Sequence, residues 1–151
     1  MNIAIDGPAG AGKSTIAKKL AADLGYVYVD TGAMYRAMAY YFLQNHIDAS
    51  DEQAIAAACP KVDVTIQYTG GELQVDIKYD AGEQHVYLNG KNVSKKIRQE
   101  AVGNMASKVA TKQAVRDKLL DLQRNLAATQ DVVMDGRDIG TFVLPNAELK
   151  I

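Results

Sequence analysis

Three stretches carry residue types that could do chemistry. The first is "GPAGAGKS", Gly7 to Ser14. It matches G-x-x-x-x-G-K-[ST], with the apolar run "NIAID" before it and a helical pattern after it, which is the setting the motif needs. Glycines open backbone conformations closed to other residues, so successive N–H groups can turn inward around a polyphosphate. A helix starting near Lys13 adds its positive end. Lys13 would place a point charge on the β- and γ-phosphates, and Ser14 a hydroxyl on Mg²⁺. Gly7, Pro8, Ala9, Gly10, Ala11, Gly12, Lys13, Ser14 and Thr15 are therefore the expected nucleoside triphosphate cradle. The motif specifies a nucleoside triphosphate but not its use, since kinases, switches and motors share it.

The second stretch is "DTGAMYR", Asp30 to Arg36, at the end of the second apolar run and leading into a helix. In a parallel α/β sheet ligands collect beyond the carboxyl ends of the strands, so this loop is expected to open onto the same crevice as the cradle. Thr31 can cap the helix whatever the function. Arg36 offers a fork matched to a second phosphate, or is a solvated surface arginine. The third stretch, "VVMDGRDIGTFV", sets Arg137 and Asp138 two and three residues beyond Asp135, between glycines. Its three charges are either a self-cancelling knot or hold something. Asp135 is placed like a Walker-B carboxylate that reaches Mg²⁺ directly or through water, or is a turn former at a strand end. The glycines are expected to leave room for a nucleotide.

These loops need a frame, and the chain alternates strand and helix as a parallel sheet with crossover helices does. Strands are expected at 2–6 and 26–30, with a helix between them presenting Ile16, Ala17, Leu20 and Leu24 on one face and ending at Gly25 in a left-handed cap. Ala33 to Leu43 repeats Met34, Met38, Tyr41 and Phe42 at helical spacing, and Ser50 with Gln53 suggests a capping box for a short helix from Asp51 to Cys59. The period then becomes two. "KVDVTIQYT", "ELQVDIKYD" and "EQHVYLNGKNV" read as a small antiparallel meander over 61–93. Helical spacing returns with Ile97, Ala101 and Met105, and again with Val115, Leu119, Leu122 and Leu126. "DVVMD" reads as a fully buried strand and "AELKI" as the start of another. A parallel strand with no crossover helix after it suggests a chain cut short, with impaired turnover expected of 151 residues alone.

Composition narrows the class. One domain's length, 48% hydrophobic residues and no apolar stretch long enough for a transmembrane helix suit a soluble, cytoplasmic protein. With 17 basic and 18 acidic side chains there is no field to condense the chain onto nucleic acid, so an anion must be held locally; balanced charge suits a monomer. Cys59, alone in the sequence, reads as an inert, partly buried thiol, and His46 and His85 lack partners at metal-ligand spacing. "SKKIR" at 94–98 reads as a solvated face, and Tyr68, Tyr79 and Tyr87 as cover for one face of the meander.

Taken together and in order, "IDGPAGAGKST", "YVDTGAMYRA", "ASKVATKQAVR" and "DGRDIGT", with a β insertion between the second and third, closely resemble the bacterial-type cytidylate kinase family over the whole chain. The resemblance implies an α/β fold with a P-loop NTPase-type parallel sheet, flanking helices and an inserted small antiparallel β meander. It implies a P-loop core at 1–33 and 108–151 and an acceptor-nucleotide region at 34–107. It also implies transfer of the γ-phosphoryl of ATP to CMP or dCMP with Mg²⁺. Carried over, Thr31, Arg36, Ser107, Arg116, Arg137 and Asp138 would contact the acceptor, Lys13, Arg36 and Arg137 would serve catalysis, and Ser14 and Asp135 the metal. Position 31 is often serine in such enzymes; threonine keeps the hydroxyl.

The residue types suit cytosine. A carboxylate such as Asp138 accepts from the exocyclic amine, while Arg or Ser donates to N3 and O2. Uracil would set a carbonyl oxygen against that carboxylate. A P-loop kinase for another acceptor, such as a shikimate-type kinase, would keep the cradle but has no reason for "DGRD" with "SKVA…VR"; a nonenzymatic nucleotide-binding module is favoured only by the early ending. Nothing in the residues addresses the ribose 2′-hydroxyl.

Overall fold

The computed structural model describes residues 1–7, 13–69, 83–136 and 139–151. The chain falls into two compact units, one of Met1–Thr31, Gln67–Gln84 and Gln123–Ile151, the other of Gly32–Ile66 and His85–Leu122.

The first unit is built on a parallel sheet of β1 (Asn2–Asp6), β2 (Val27–Asp30), β6 (Val132–Gly136) and β7 (Leu149–Lys150), in the order β2-β6-β1-β7. β6 lies between β1 and β2 with both its edges paired, and both its faces are covered too, so its sequence shows no alternation: Val132, Val133 and Met134 are fully buried. Register aligns Ile3, Val133 and Tyr28 across the three strands, and Ile5, Asp135 and Asp30 two residues on, along the same face. Helix α1 (Lys13–Leu24) lays Ala17 and Ala21 against Ile3, Ile5, Tyr28 and Val133. Burial of each of the branched side chains contributes about 1.5–3 kcal/mol.

The expected face of α1 holds in part: Ala17 is buried and Leu20 packs against this core. Ile16 and Leu24 are 58% and 46% exposed, and small alanines make the contact that lets the helix approach the sheet. Its end matches expectation: Gly25 has φ +70°, Tyr26 N–H bonds Ala21 C=O at 2.9 Å and Gly25 N–H bonds Ala22 C=O at 3.3 Å, the paired bonds of a Schellman cap. At the other edge, Ile151 N–H donates to Ala4 C=O and Asp6 N–H to Ile151 C=O, carrying the parallel ladder one residue past β7.

The second unit is mainly helical. Its core takes Met34, Ala37, Met38 and Phe42 from α2 (Thr31–Gln44), which begins at the last residue of the first unit, and Ile55 and Ala58 from α3 (Glu52–Ala58). Val102, Met105, Ala106 and Val109 of α4 (Glu100–Val109) are also buried, as are Val115 and Leu119 of α5 (Gln113–Thr129). Of the expected register Ile97 and Met105 are buried but Ala101 faces water, its neighbour Val102 taking the buried position on α4. The cap of α3 also differs. Asp51 is the N-cap, accepting from Ala54 N–H at 3.1 Å, while the Ser50 hydroxyl donates to Asp48. A carboxylate one residue closer to the helix takes the capping role from serine.

Strands β3 (Val64–Thr69), β4 (Glu83–Leu88) and β5 (Lys91–Asn92) form the three-stranded sheet, in that order. "EQHVYLNGKNV", expected as one strand, is a hairpin: Tyr87 faces Asn92 and Leu88 faces Lys91 across Asn89 and Gly90, whose φ values of 48° and 83° make a type I′ turn. The expected strand "ELQVDIKYD", with Tyr79, lies outside the described residues.

Candidate active site

The carboxyl ends of β1, β2 and β6 carry Asp6, Asp30 and Asp135. Asp135 is 3% exposed, and the buried Tyr28 hydroxyl donates to its Oδ2 at 2.8 Å. Register explains the reach, because Tyr28 pairs with Val133 and Asp135 is the next residue of β6 on that face. Sequence reading treated Tyr28 as one strand residue among others; an alternating Tyr two positions before the strand-end Asp30 was the available signal.

Thr31, 6% exposed, opens α2 and spends its hydroxyl proton on Asp135 C=O at 2.9 Å. That places Oγ1 against Gly136. A Cβ added to Gly136 would stand 2.2 Å from it. At Gly140 a Cβ would meet Asp6 Oδ2 at 3.1 Å and Lys150 side-chain carbons at 3.2 Å. The glycines expected to leave room for a nucleotide thus leave room for protein groups, Thr31 in one case and Asp6 with Lys150 in the other.

Beyond Gly136 the backbone turns through one π-helical turn, Ile139–Val143, begun and ended by side chains. The Asp6 carboxylate accepts from the N–H groups of Ile139 and Gly140, the latter at 3.0 Å. Arg124 of α5 donates to Val143 C=O at 3.2 Å and Phe142 C=O at 2.9 Å, with its guanidinium 5.8 Å from the Phe142 ring centre. Neither residue was singled out from the sequence. Arg137 and Asp138, and Pro8 to Gly12 of the cradle, lie outside the described residues. Gly7 is described: its N–H donates to Gly136 C=O at 3.2 Å. Lys13 and Ser14 open α1, the helix the cradle was expected to precede, and Thr15 is exposed.

In the second unit Arg36 is exposed but anchored. Its Nη1 donates to Ile97 C=O at 3.3 Å, and a Cβ on Gly103 would meet Nη2 at an ordinary 3.6 Å. Ser107, exposed on α4, donates back to Gly103 C=O at 3.3 Å, so Arg36 and Ser107 share that glycine as neighbour. Arg116 is exposed on α5. It lies near enough to Tyr35 to act on it: burial pushes the Tyr35 phenol up and the Arg116 charge draws it partly back. Cys59 is buried, and that burial raises its thiol above the usual range, with Lys118 opposing. Among the described residues no group of three or more His, Cys, Asp or Glu side chains could hold a metal ion, and no helix is long and apolar enough to cross a membrane.

A family profile described as cytidylate kinase matches residues 3–151. A cytidylate kinase of Lactobacillus gasseri is 49% identical over 151 residues, all of this chain and 61% of that protein. One of Caldicellulosiruptor bescii is 50% identical, again over all of this chain and 62% of its own length. One of Flavobacterium johnsoniae is 49% identical over 154 residues, 63% of its length. The chain spans about three-fifths of the length of these curated relatives.

Proposed function

The chain belongs to the cytidylate kinase family, and on that premise we propose that it serves an ATP-dependent nucleoside monophosphate kinase passing the γ-phosphoryl of ATP to CMP or dCMP. The observation that carries the reading is the setting of "GRD": Gly136 and Ile139, the residues on either side of Arg137 and Asp138, are both hydrogen-bonded to the strand end that becomes the phosphate cradle. Phosphoryl transfer leaves little covalent work to protein groups, so positioning and charge neutralisation are what such a frame must supply.

In this reading Gly7 to Thr15 hold ATP, with Lys13 on the transferring phosphates. Ser14 and Asp135 would hold Mg²⁺. Their hydroxyl and carboxylate oxygens suit a hard cation that relies on one or two carboxylates and on substrate phosphates. The bound ion neutralises charge on the phosphates. Arg137 takes the acceptor phosphate, Asp138 the cytosine amine, and Thr31 a further acceptor contact. In the second unit Arg36 takes acceptor phosphate, supported by the Ile97 carbonyl that fixes its direction, and Ser107 and Arg116 read the base. Residues 1–33 and 108–151 are assigned to the P-loop core and 34–107 to acceptor binding. A monomer in the cytoplasm, where its nucleotides are found, completes the proposal.

Acceptors assayed side by side with ATP in the intact enzyme, by coupled ADP release, test it. CMP or dCMP should exceed UMP and sugar acids; either of the latter outcompeting CMP would overturn the reading. Asp138→Ala should cut the CMP-over-UMP preference at least about tenfold, because the contact that repels uracil is gone. Arg137→Ala should slow transfer to every acceptor by about 10²–10³.

A further inference from the structure

Asp6 is the last residue of β1, immediately before Gly7. Its carboxylate is engaged by residues far along the chain. Both oxygens are used on another segment, Oδ1 accepting from Ile139 N–H and Oδ2 from Gly140 N–H at 3.0 Å. Next to it, Gly7 N–H donates to Gly136 C=O at 3.2 Å. The consecutive pair Asp6–Gly7 therefore holds the backbone on both sides of Arg137–Asp138. Charge-assisted bonds from two successive amides to one carboxylate are stronger than neutral ones and fix direction as well as distance. Gly140 is part of the same arrangement, since a Cβ there would stand 3.1 Å from Oδ2.

We propose that Asp6 is a positioning residue that sets the Arg137–Asp138 segment for the acceptor nucleotide by anchoring Ile139 and Gly140 to the strand end that begins the cradle. The proposal rests on the functional reading above. Its physical content is that loss of the carboxylate frees the distal flank of the segment while Gly7 keeps the proximal one. Acceptor binding suffers, and donor binding, which uses the cradle backbone and Lys13, does not. Small displacements of a positioned group are costly in this chemistry, a shift of about 1 Å being worth about a hundredfold in rate.

The experiment compares Asp6→Ala, Asp6→Asn and Gly140→Ala with the unsubstituted intact enzyme. It measures amide hydrogen exchange at Ile139 and Gly140 by NMR, and calorimetric Kd values for CMP and for a nonhydrolysable ATP analogue taken separately. In Asp6→Ala the two amides should exchange at least about tenfold faster. CMP Kd should rise about tenfold or more while the ATP analogue stays within about twofold. Asp6→Asn keeps one acceptor oxygen and should fall between, rescuing one of the two amides. Gly140→Ala should reproduce the CMP-selective loss with every charge intact. Equal loss of both ligands, tracking a lower Tm, would assign Asp6 a merely structural role and overturn the proposal, as would unchanged CMP affinity in all three variants. Failure of the unsubstituted enzyme to bind CMP would sink the acceptor reading instead, and with it the positioning role. In that case the amide exchange would still report whether the anchor exists.

Discussion

Thr31 and Gly136 show how closely single residues are fitted to one another. The threonine hydroxyl reaches across to Asp135 C=O and occupies the space a side chain at 136 would need. Gly136→Ala should lower stability by about 1–3 kcal/mol, the usual cost of overpacking, measured as a shift in the urea midpoint with unchanged slope. Adding Thr31→Ala should recover at least about 1 kcal/mol of that, because the offending oxygen is gone; strict additivity in the double-mutant cycle would refute the account. Both residues were conspicuous in the sequence, and both were assigned to ligand. What the sequence could not convey is that the glycine's missing side chain is filled from another element, since that depends on β2 and β6 being neighbours. Asp6 was overlooked for the same reason: its partners are more than 130 residues away in the chain.

Among the elements, ends were more legible than faces. Gly25 announces a left-handed cap by residue type alone, but α2 ends in the same geometry without a glycine. His46 has φ 55°, with its N–H on Leu43 C=O at 3.3 Å and Ile47 N–H on Phe42 C=O at 2.9 Å. A left-handed conformation costs a residue with a Cβ about 1–2 kcal/mol, partly offset because glycine loses more freedom on folding. His46→Gly should therefore raise stability by about 0.5–1 kcal/mol, seen as a higher Tm; an unchanged or lower Tm would show that the histidine side chain contributes interactions of its own. The faces of α1 and α4 were read only in part because periodicity locates a stripe only to within a residue or so. Ala17, Leu20, Ile97 and Met105 were read correctly, but the large Ile16 and Leu24 stand exposed where the small Ala21 touches the core, and Ala101 faces water beside the buried Val102. The hairpin at Asn89–Gly90 was legible in its two turn residues, and its placement inside an apparently continuous alternating run concealed it.

On the scale of the whole molecule, the sequence resemblance and the α/β architecture agree, and the family match extends over residues 3–151. Four motifs sufficed for that, because each pairs an element boundary with a chemical group. The sheet order β2-β6-β1-β7 has a consequence for how the protein is made. β1 and β2 have both been synthesised by residue 30, but the strand that joins them does not begin until Val132. Until then two hydrophobic strands present unpaired edges, and the loop to be closed spans about a hundred residues, which slows folding and exposes the nascent chain to aggregation. A fragment ending at Gln130 should be cut by trypsin at Lys18 and Lys19 at least about tenfold faster than the chain through Ile151; equal protection would mean that α1 finds its seat without β6. The strand that presents Asp135 is thus also the one whose synthesis commits the parallel-sheet unit of the protein to its fold.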